Sequence, residues 1–114
     1  MISSCIQVCD IETTIMWYGD FLGFQCSYRS SIKSPEYAIL EKSGSRLYLR
    51  KASDRQVYAS NVVVIESQNL EDDYSMASDK GVIIVQEISK GLFGTKEFIV
   101  KDYEDNKIVY RQIS

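Results

Sequence analysis

The chain carries two apolar runs around a polar turn, and this arrangement occurs twice. The later copy reads FIVKDYEDNKIVYR, from Phe98 to Arg111, and the earlier one reads YAILEKSGSRLYLR, from Tyr37 to Arg50. Apolar and polar residues alternate on both sides of each turn, as they do in a β-hairpin with one buried face. The pattern therefore predicts two equivalent hairpins.

A strand and a helix precede the first hairpin. Residues Ser4 to Cys9 alternate in polarity and lead to Asp10, whose side chain can cap a helix. Apolar positions from Ile11 to Leu22 follow a 3.6-residue period, and Gly23 supplies a left-handed stop. Because Phe24 to Arg29 has an extended pattern, the first half is predicted as a strand, a helix and three strands.

The second half repeats this order. Asn61 to Glu66 is a β-branched strand, Asn69 can cap a helix, and Gly81 ends that helix as Gly23 ends the first. Val82 to Val85 is a strand before the closing hairpin, and the loop Gly91 to Gly94 accounts for extra residues. The sequence thus predicts an α+β domain, residues 1–114, with tandem βαβββ modules at about residues 1–51 and 60–114.

Charge and composition argue against nucleic acids and membranes as binding partners of the protein. With 114 residues, a net charge of −3 and a pI near 4.9, the chain lacks the basic face that nucleic-acid binding requires. No apolar run approaches the roughly 20 residues of a membrane-spanning helix, and no secretory signal is visible. We therefore expect a cytoplasmic protein that binds neither nucleic acid nor membrane.

Three cysteines make an odd number without the paired spacing of a disulfide framework or a zinc site. Cys5, Cys9 and Cys26 are interpreted as reduced thiols packed in the structure. A soft-metal site is the alternative.

Both ends of the chain resemble one superfamily. Val8-Cys9-Asp10-Ile11, followed by WYGDFLGF at Trp17 to Phe24, is similar to the opening of the glyoxalase, bleomycin-resistance and extradiol-dioxygenase (vicinal oxygen chelate) superfamily. Residues Gly94 to Ile108 resemble its closing pattern, although Tyr103 and Asp105 replace the usual proline and glycine. The resemblance implies a curved, cup-shaped mixed sheet with helices outside, and homodimers.

The resemblance also implies where a metal would be held. Carried across, the family's ligand positions fall at Ser3, at Tyr48, at about Asn61 and at Val109. None is His, Asp or Glu, and the chain has no histidine, which also excludes a Ser/His/Asp or Cys/His catalytic set. We therefore expect neither a metal nor another cofactor.

Strand alternation predicts which side chains line the cup. On the fourth and eighth strands it directs Arg46, Tyr48, Arg50, Lys107, Val109 and Arg111 inward, and on the first and fifth strands Ser3, Cys5, Gln7, Asn61, Val63 and Ile65. Loop position adds the aromatic candidates Tyr58 and Phe93. The alternative is that the charged positions simply mark a solvated sheet face. The predicted ligand-binding residues are Arg46, Tyr48, Arg50, Asn61, Val63, Phe93, Val109 and Arg111.

These features favour a metal-free, dimeric small-molecule binding protein that resembles the antibiotic-sequestering bleomycin-resistance proteins. The ligand's charge stays open, because the acidic balance suits a cation and the cup arginines suit a carboxylate or phosphate. The alternative is a lyase or isomerase with an atypical or absent metal site, with Glu66, Glu87 or Glu97 as general base. A protein-binding or regulatory module is a third possibility.

Overall fold

The protein folds as two consecutive βαβββ units, which confirms the predicted α+β fold class. The computed structural model describes residues 3–31, 33–52, 62–91 and 94–113. The first unit comprises β1 (Ser3–Val8), α1 (Ile11–Leu22), β2 (Gln25–Arg29), β3 (Tyr37–Lys42) and β4 (Ser45–Lys51). The second comprises β5 (Val62–Glu66), α2 (Leu70–Asp79), β6 (Ile83–Lys90), β7 (Thr95–Lys101) and β8 (Lys107–Ile113).

Each unit forms one four-stranded mixed sheet, with strand orders β1-β4-β3-β2 and β5-β8-β7-β6. In each sheet the first pair, β1 with β4 or β5 with β8, is parallel, and the other pairs are antiparallel. The two sheets meet where β5 contacts β1 and β4. There the Glu66 amide donates to the Ser45 hydroxyl over 3.1 Å.

Capping side chains begin both helices where the sequence predicts. Asp10 accepts from the Thr13 amide over 3.0 Å, and Asn69 accepts from the Asp72 amide over 3.2 Å. Gly23 follows α1 with φ 76°, a left-handed conformation that glycine adopts without steric cost. Neither helix in the described ranges has the length and apolar character needed to cross a membrane.

One apolar core joins the two units. Leu47 and Leu49 of β4 lie in it, as do Ile108 and Tyr110 of β8, on the side predicted from strand alternation. Across the units, the Tyr18 hydroxyl of α1 donates to the buried Asp102 carboxylate of the β7–β8 turn. The helices and this turn therefore hold the two sheets in a fixed arrangement.

The predicted orientation of β5 is wrong by one residue. Val63 and Ile65 are 1 % and 2 % exposed and belong to the core, so they do not line the opposite side of the sheet. The β5–β8 register explains the difference, because Val63 pairs with the core residue Ile108. Partners in register share a face of the sheet.

The prediction that the cysteines are packed is also wrong, since all three are exposed. On β1 the core positions are Ile6 and Val8, which leaves Cys5 on the other face. Cys9 follows the end of β1, and Cys26 lies on the edge strand β2.

Candidate functional site

The side of both sheets that faces away from the core is here called the open face. On β4 it carries Arg46, Tyr48 and Arg50, which alternate with the core leucines as predicted. On β8 the same alternation gives Lys107, Val109 and Arg111.

An apolar row crosses the open face of the first sheet. Tyr48 of β4 pairs with Cys5 of β1 on one side and with Ile39 of β3 on the other. Ile39 in turn pairs with Tyr28 of β2, whose side chain is 54 % exposed. Sequence analysis missed Ile39 and Tyr28, although the tight turn between β3 and β4 fixes which residue faces Tyr48. We call Cys5, Tyr48, Ile39 and Tyr28 the apolar row.

The second sheet has an equivalent row. Val109 of β8 pairs with Val64 of β5 and with Ile99 of β7. Val109 is 8 % exposed, so its side chain is covered even though it points away from the core cluster. These three aliphatic side chains give this sheet an apolar centre without an aromatic ring.

On β4 and β8, two of the four open-face cations are neutralised by neighbouring glutamates. Arg46 contacts Glu41 with 2.8 Å between Nε and Oε1, and Arg111 contacts Glu97 with 3.3 Å between Nε and Oε2. Hydrogen bonding to Tyr48 and then to Glu41 raises the pKa of the Arg46 guanidinium. Both arginines are therefore engaged within their own sheet.

Arg50 has a different environment. Its guanidinium carbon lies 6.0 Å from the centre of the Tyr37 ring, at the distance of a cation–π contact. In the ranges that the structure describes, no ion pair joins Arg50 to a carboxylate. Its other cross-strand neighbour is Gln7 of β1.

The remaining candidates are not among the described residues of this face. Asn61, Tyr58 and Phe93 lie outside the described residues, and Val63 lies in the core. Trp17 stacks on Phe21 and packs against the core from the helix side.

A family model decides the identity of the fold. The model of the Glyoxalase/Bleomycin resistance protein/Dioxygenase superfamily matches residues 2–110. The chain belongs to this superfamily.

Solved structures of similar shape agree with this assignment. TioX from Micromonospora sp. ML1 superposes with a TM-score of 0.83 at 17 % identity, over 99 % of this chain and 98 % of that one. A glyoxalase/bleomycin resistance protein from Streptomyces sp. CB03234 gives 0.78 at 16 % identity, over 97 % and 98 %. A glyoxalase/bleomycin resistance protein/dioxygenase from Alicyclobacillus acidocaldarius gives 0.73 at 18 % identity, over 99 % and 90 %. None of the curated proteins matches the chain.

The strand registers assign the superfamily's metal-ligand position on β5 to a different residue from the one predicted. Cys5 pairs with Tyr48, and Val64 pairs with Val109, so Val64 is the counterpart of Cys5. Two residues earlier on each strand, the counterpart of Ser3 is Val62 rather than the neighbouring Asn61.

The residues at these positions do not fit a divalent metal. Val62 and Val109 have no donor atom, and Ser3 and Tyr48 offer neutral hydroxyls rather than the carboxylate, carbonyl or imidazole ligands that divalent metals prefer. Within the described residues, no three His, Cys, Asp or Glu side chains are grouped so that they could hold a metal ion. The chemistry of the open face is therefore that of apolar contact and charged hydrogen bonding.

Proposed function

We propose that the protein binds a small molecule on its open face without a metal, in the manner of a drug-sequestering member of the superfamily. The observation that carries the proposal is the apolar row, on a face where the superfamily's metal-ligand positions hold no carboxylate or imidazole group. Tyrosine rings and aliphatic side chains provide contact area for a flat ligand, and an aromatic pair is worth about 0.5–1.5 kcal/mol beyond its buried area.

The proposal includes a homodimer. Tyr28 and Tyr37 on the open face are 54 % and 49 % exposed, and Val62 is 62 % exposed. Exposed apolar side chains grouped on one face are typical of surfaces that another molecule covers. A second copy facing the first would place a ligand between two open faces.

Calorimetric titration with bleomycin-like and mitomycin-like drugs tests the drug-sequestering form of the proposal. We expect saturable binding that persists in EDTA and weakens at least about tenfold in Tyr48→Ala, because truncation removes the ring at the centre of the row. A matched control is Tyr103→Ala, whose ring contacts Trp17 on the helix side. Absence of heat with every drug would remove this form of the proposal.

A lyase or isomerase is the second candidate, and the position of Glu66 favours it. Of the three glutamates considered as bases, Glu87 is bonded to Tyr74 of α2, and Glu97 is paired with Arg111. Glu66 of β5 has no ion-pair partner within the described ranges. Stoichiometric metal in protein purified without chelator would favour the enzyme, as would turnover that Glu66→Gln abolishes.

A further inference from the structure

At equivalent positions of the two sheets, an arginine lies between two cross-strand neighbours, and these neighbours are neutral in one sheet and acidic in the other. In the first sheet, Arg50 of β4 pairs with Gln7 of β1 and Tyr37 of β3. In the second sheet, Arg111 of β8 pairs with Glu66 of β5 and Glu97 of β7. The arginine occupies the same place in each unit, and only its two neighbours differ.

The neighbours decide what each arginine can bind. Arg111 lies between two carboxylates and contacts one of them, so its charge is balanced inside the sheet. Arg50 lies between an amide and a phenol, which are neutral and can both donate hydrogen bonds. Directly opposite side chains on neighbouring strands are about 5 Å apart at Cβ, so the three groups can reach one small anion.

We propose that Arg50, Gln7 and Tyr37 form an anion-binding subsite on the open face, and that the ligand is an anionic amphiphile. Its carboxylate, sulfonate or phosphate group would accept bonds from Arg50, and its flat apolar body would lie on the adjacent apolar row. A guanidinium offers paired N–H donors that match such oxyanions. This inference rests on the proposed function and adds to it the charge and orientation of the ligand.

The same contacts argue against a cationic ligand at this end of the site. Glu41, the open-face carboxylate of β3, is already engaged by Arg46 over 2.8 Å. A cation beside Tyr37 would meet Arg50 itself, and like charges that close repel each other. The overall charge of −3 therefore does not describe the local field.

Two fluorescent probes with similar aromatic bodies test the subsite. 8-Anilinonaphthalene-1-sulfonate carries an anionic group, and N-phenyl-1-naphthylamine lacks it. We expect Arg50→Gln to raise the Kd of the sulfonate probe by about tenfold or more and to change that of the neutral probe by less than about twofold. Lys80→Gln, which removes an exposed cation that follows α2 on the helix side of the sheets, is the matched control. At 0.15 M salt it should change the Kd of the sulfonate probe by less than about threefold.

The outcomes separate this inference from the proposed function. If the neutral probe binds and Tyr48→Ala weakens it, but Arg50→Gln leaves the sulfonate probe unaffected, the face binds ligands and the anion subsite is wrong. If neither probe responds to Tyr48→Ala, the proposed site itself is wrong. Thermal melts of each variant verify folding. Displacement of the sulfonate probe by 1-naphthoate or by 1-naphthyl phosphate identifies the preferred anion, and failure of both would overturn the subsite.

Discussion

Asp102 is a buried carboxylate that connects the two units of the chain. It accepts from the Tyr18 hydroxyl of α1, from the Glu104 amide over 2.9 Å, and from the amide and side chain of Asn106 over 3.0 Å each. Its exposure is 4 %. Without this acceptor, the buried donor groups of Tyr18 and Asn106 would lose a hydrogen bond that water could not replace.

We therefore expect Asp102→Ala to lower the free energy of unfolding by at least about 3 kcal/mol, because unsatisfied buried donors cost about 1–3 kcal/mol each. Urea unfolding followed by circular dichroism measures this change. Asp105→Asn is the control, since the Asp105 side chain is exposed and forms a surface ion pair of 3.3 Å with Lys101. The control should change stability by less than about 0.5 kcal/mol, and a similar loss in both variants would contradict the assigned role.

The sequence predicted the turn between β7 and β8 but not its contacts with α1. The resemblance covered this turn, because it extended from Gly94 to Ile108, but nothing local in the sequence connects Asp102 to Tyr18, which is far away along the chain. Tyr103, which stands where the family has proline, bonds to Thr14 of α1 through its hydroxyl over 2.7 Å. Contacts of this kind depend on the packing of distant elements, so alternation and spacing do not reveal them.

The two hairpins differ at the scale of the turn. Between β3 and β4 the turn has Ser43 at φ 50° and Gly44 at φ 83°, the positive pair of a type I′ turn. Between β7 and β8 the connection spans residues 102–106, with Asp105 at φ 65°. Tyr37 pairs with Arg50 in the first hairpin, and Glu97 pairs with Arg111 in the second. The segment between the paired residues is one residue longer in the second hairpin, and this shift places Glu97 opposite Arg111.

Substitutions in the tight turn should act through backbone conformation alone. A Cβ at Gly44 would meet no atom within 4 Å, so Gly44→Ala should cost about 1–2 kcal/mol from the left-handed conformation and nothing from steric contact. Ser43→Asn should stabilise the hairpin by a few tenths of a kcal/mol, since asparagine followed by glycine favours this turn. Thermal and urea unfolding measure both changes. A neutral Gly44→Ala would rule out the type I′ assignment.

Helix ends and hairpin positions could be read from the sequence because their signals are local. Asp10 and Asn69 directly precede the helices that they cap, and Gly23 directly follows the end of α1. The structure confirms both helix starts. The face of β5 could not be predicted in this way, because VVVIE is apolar at four successive positions. Only pairing with β8 shows that Val63 faces the core.

Tyrosine burial makes the whole molecule sensitive to alkaline pH. Burial raises the pKa of Tyr103 to about 12. Burial also raises the pKa of Tyr18 and of Tyr110 well above the ordinary value, with added repulsion from Asp102 and Asp73 respectively. In the unfolded chain these groups ionise near pH 10. Above that pH the folded state retains protons that the unfolded state loses.

Stability should therefore be constant from about pH 7 to 9 and fall as the pH rises from about 10 through the raised folded-state values. Urea unfolding at a series of pH values, with tyrosinate absorbance followed in parallel, measures the effect. Tyr103→Phe removes one of the three groups and should make the fall less steep. A free energy of unfolding that does not change up to pH 12 would show that these hydroxyls are not protected in the folded protein.

The exposed apolar side chains of the open face determine the expected assembly of the whole molecule. Val62 and Ile83 are 62 % and 58 % exposed on β5 and β6, whereas the exposed Met16 lies on α1, on the opposite side of the sheets. If a second copy covers the open face, Val62→Lys and Ile83→Lys each place a charge in an apolar contact, where desolvation is unfavourable. Sedimentation velocity should then show a dimer for the natural chain and for Met16→Lys, and a shift to monomer for the two open-face variants. A dimer that survives both open-face substitutions but dissociates with Met16→Lys would place the subunit contact on the helix side and leave the open face directed to solvent.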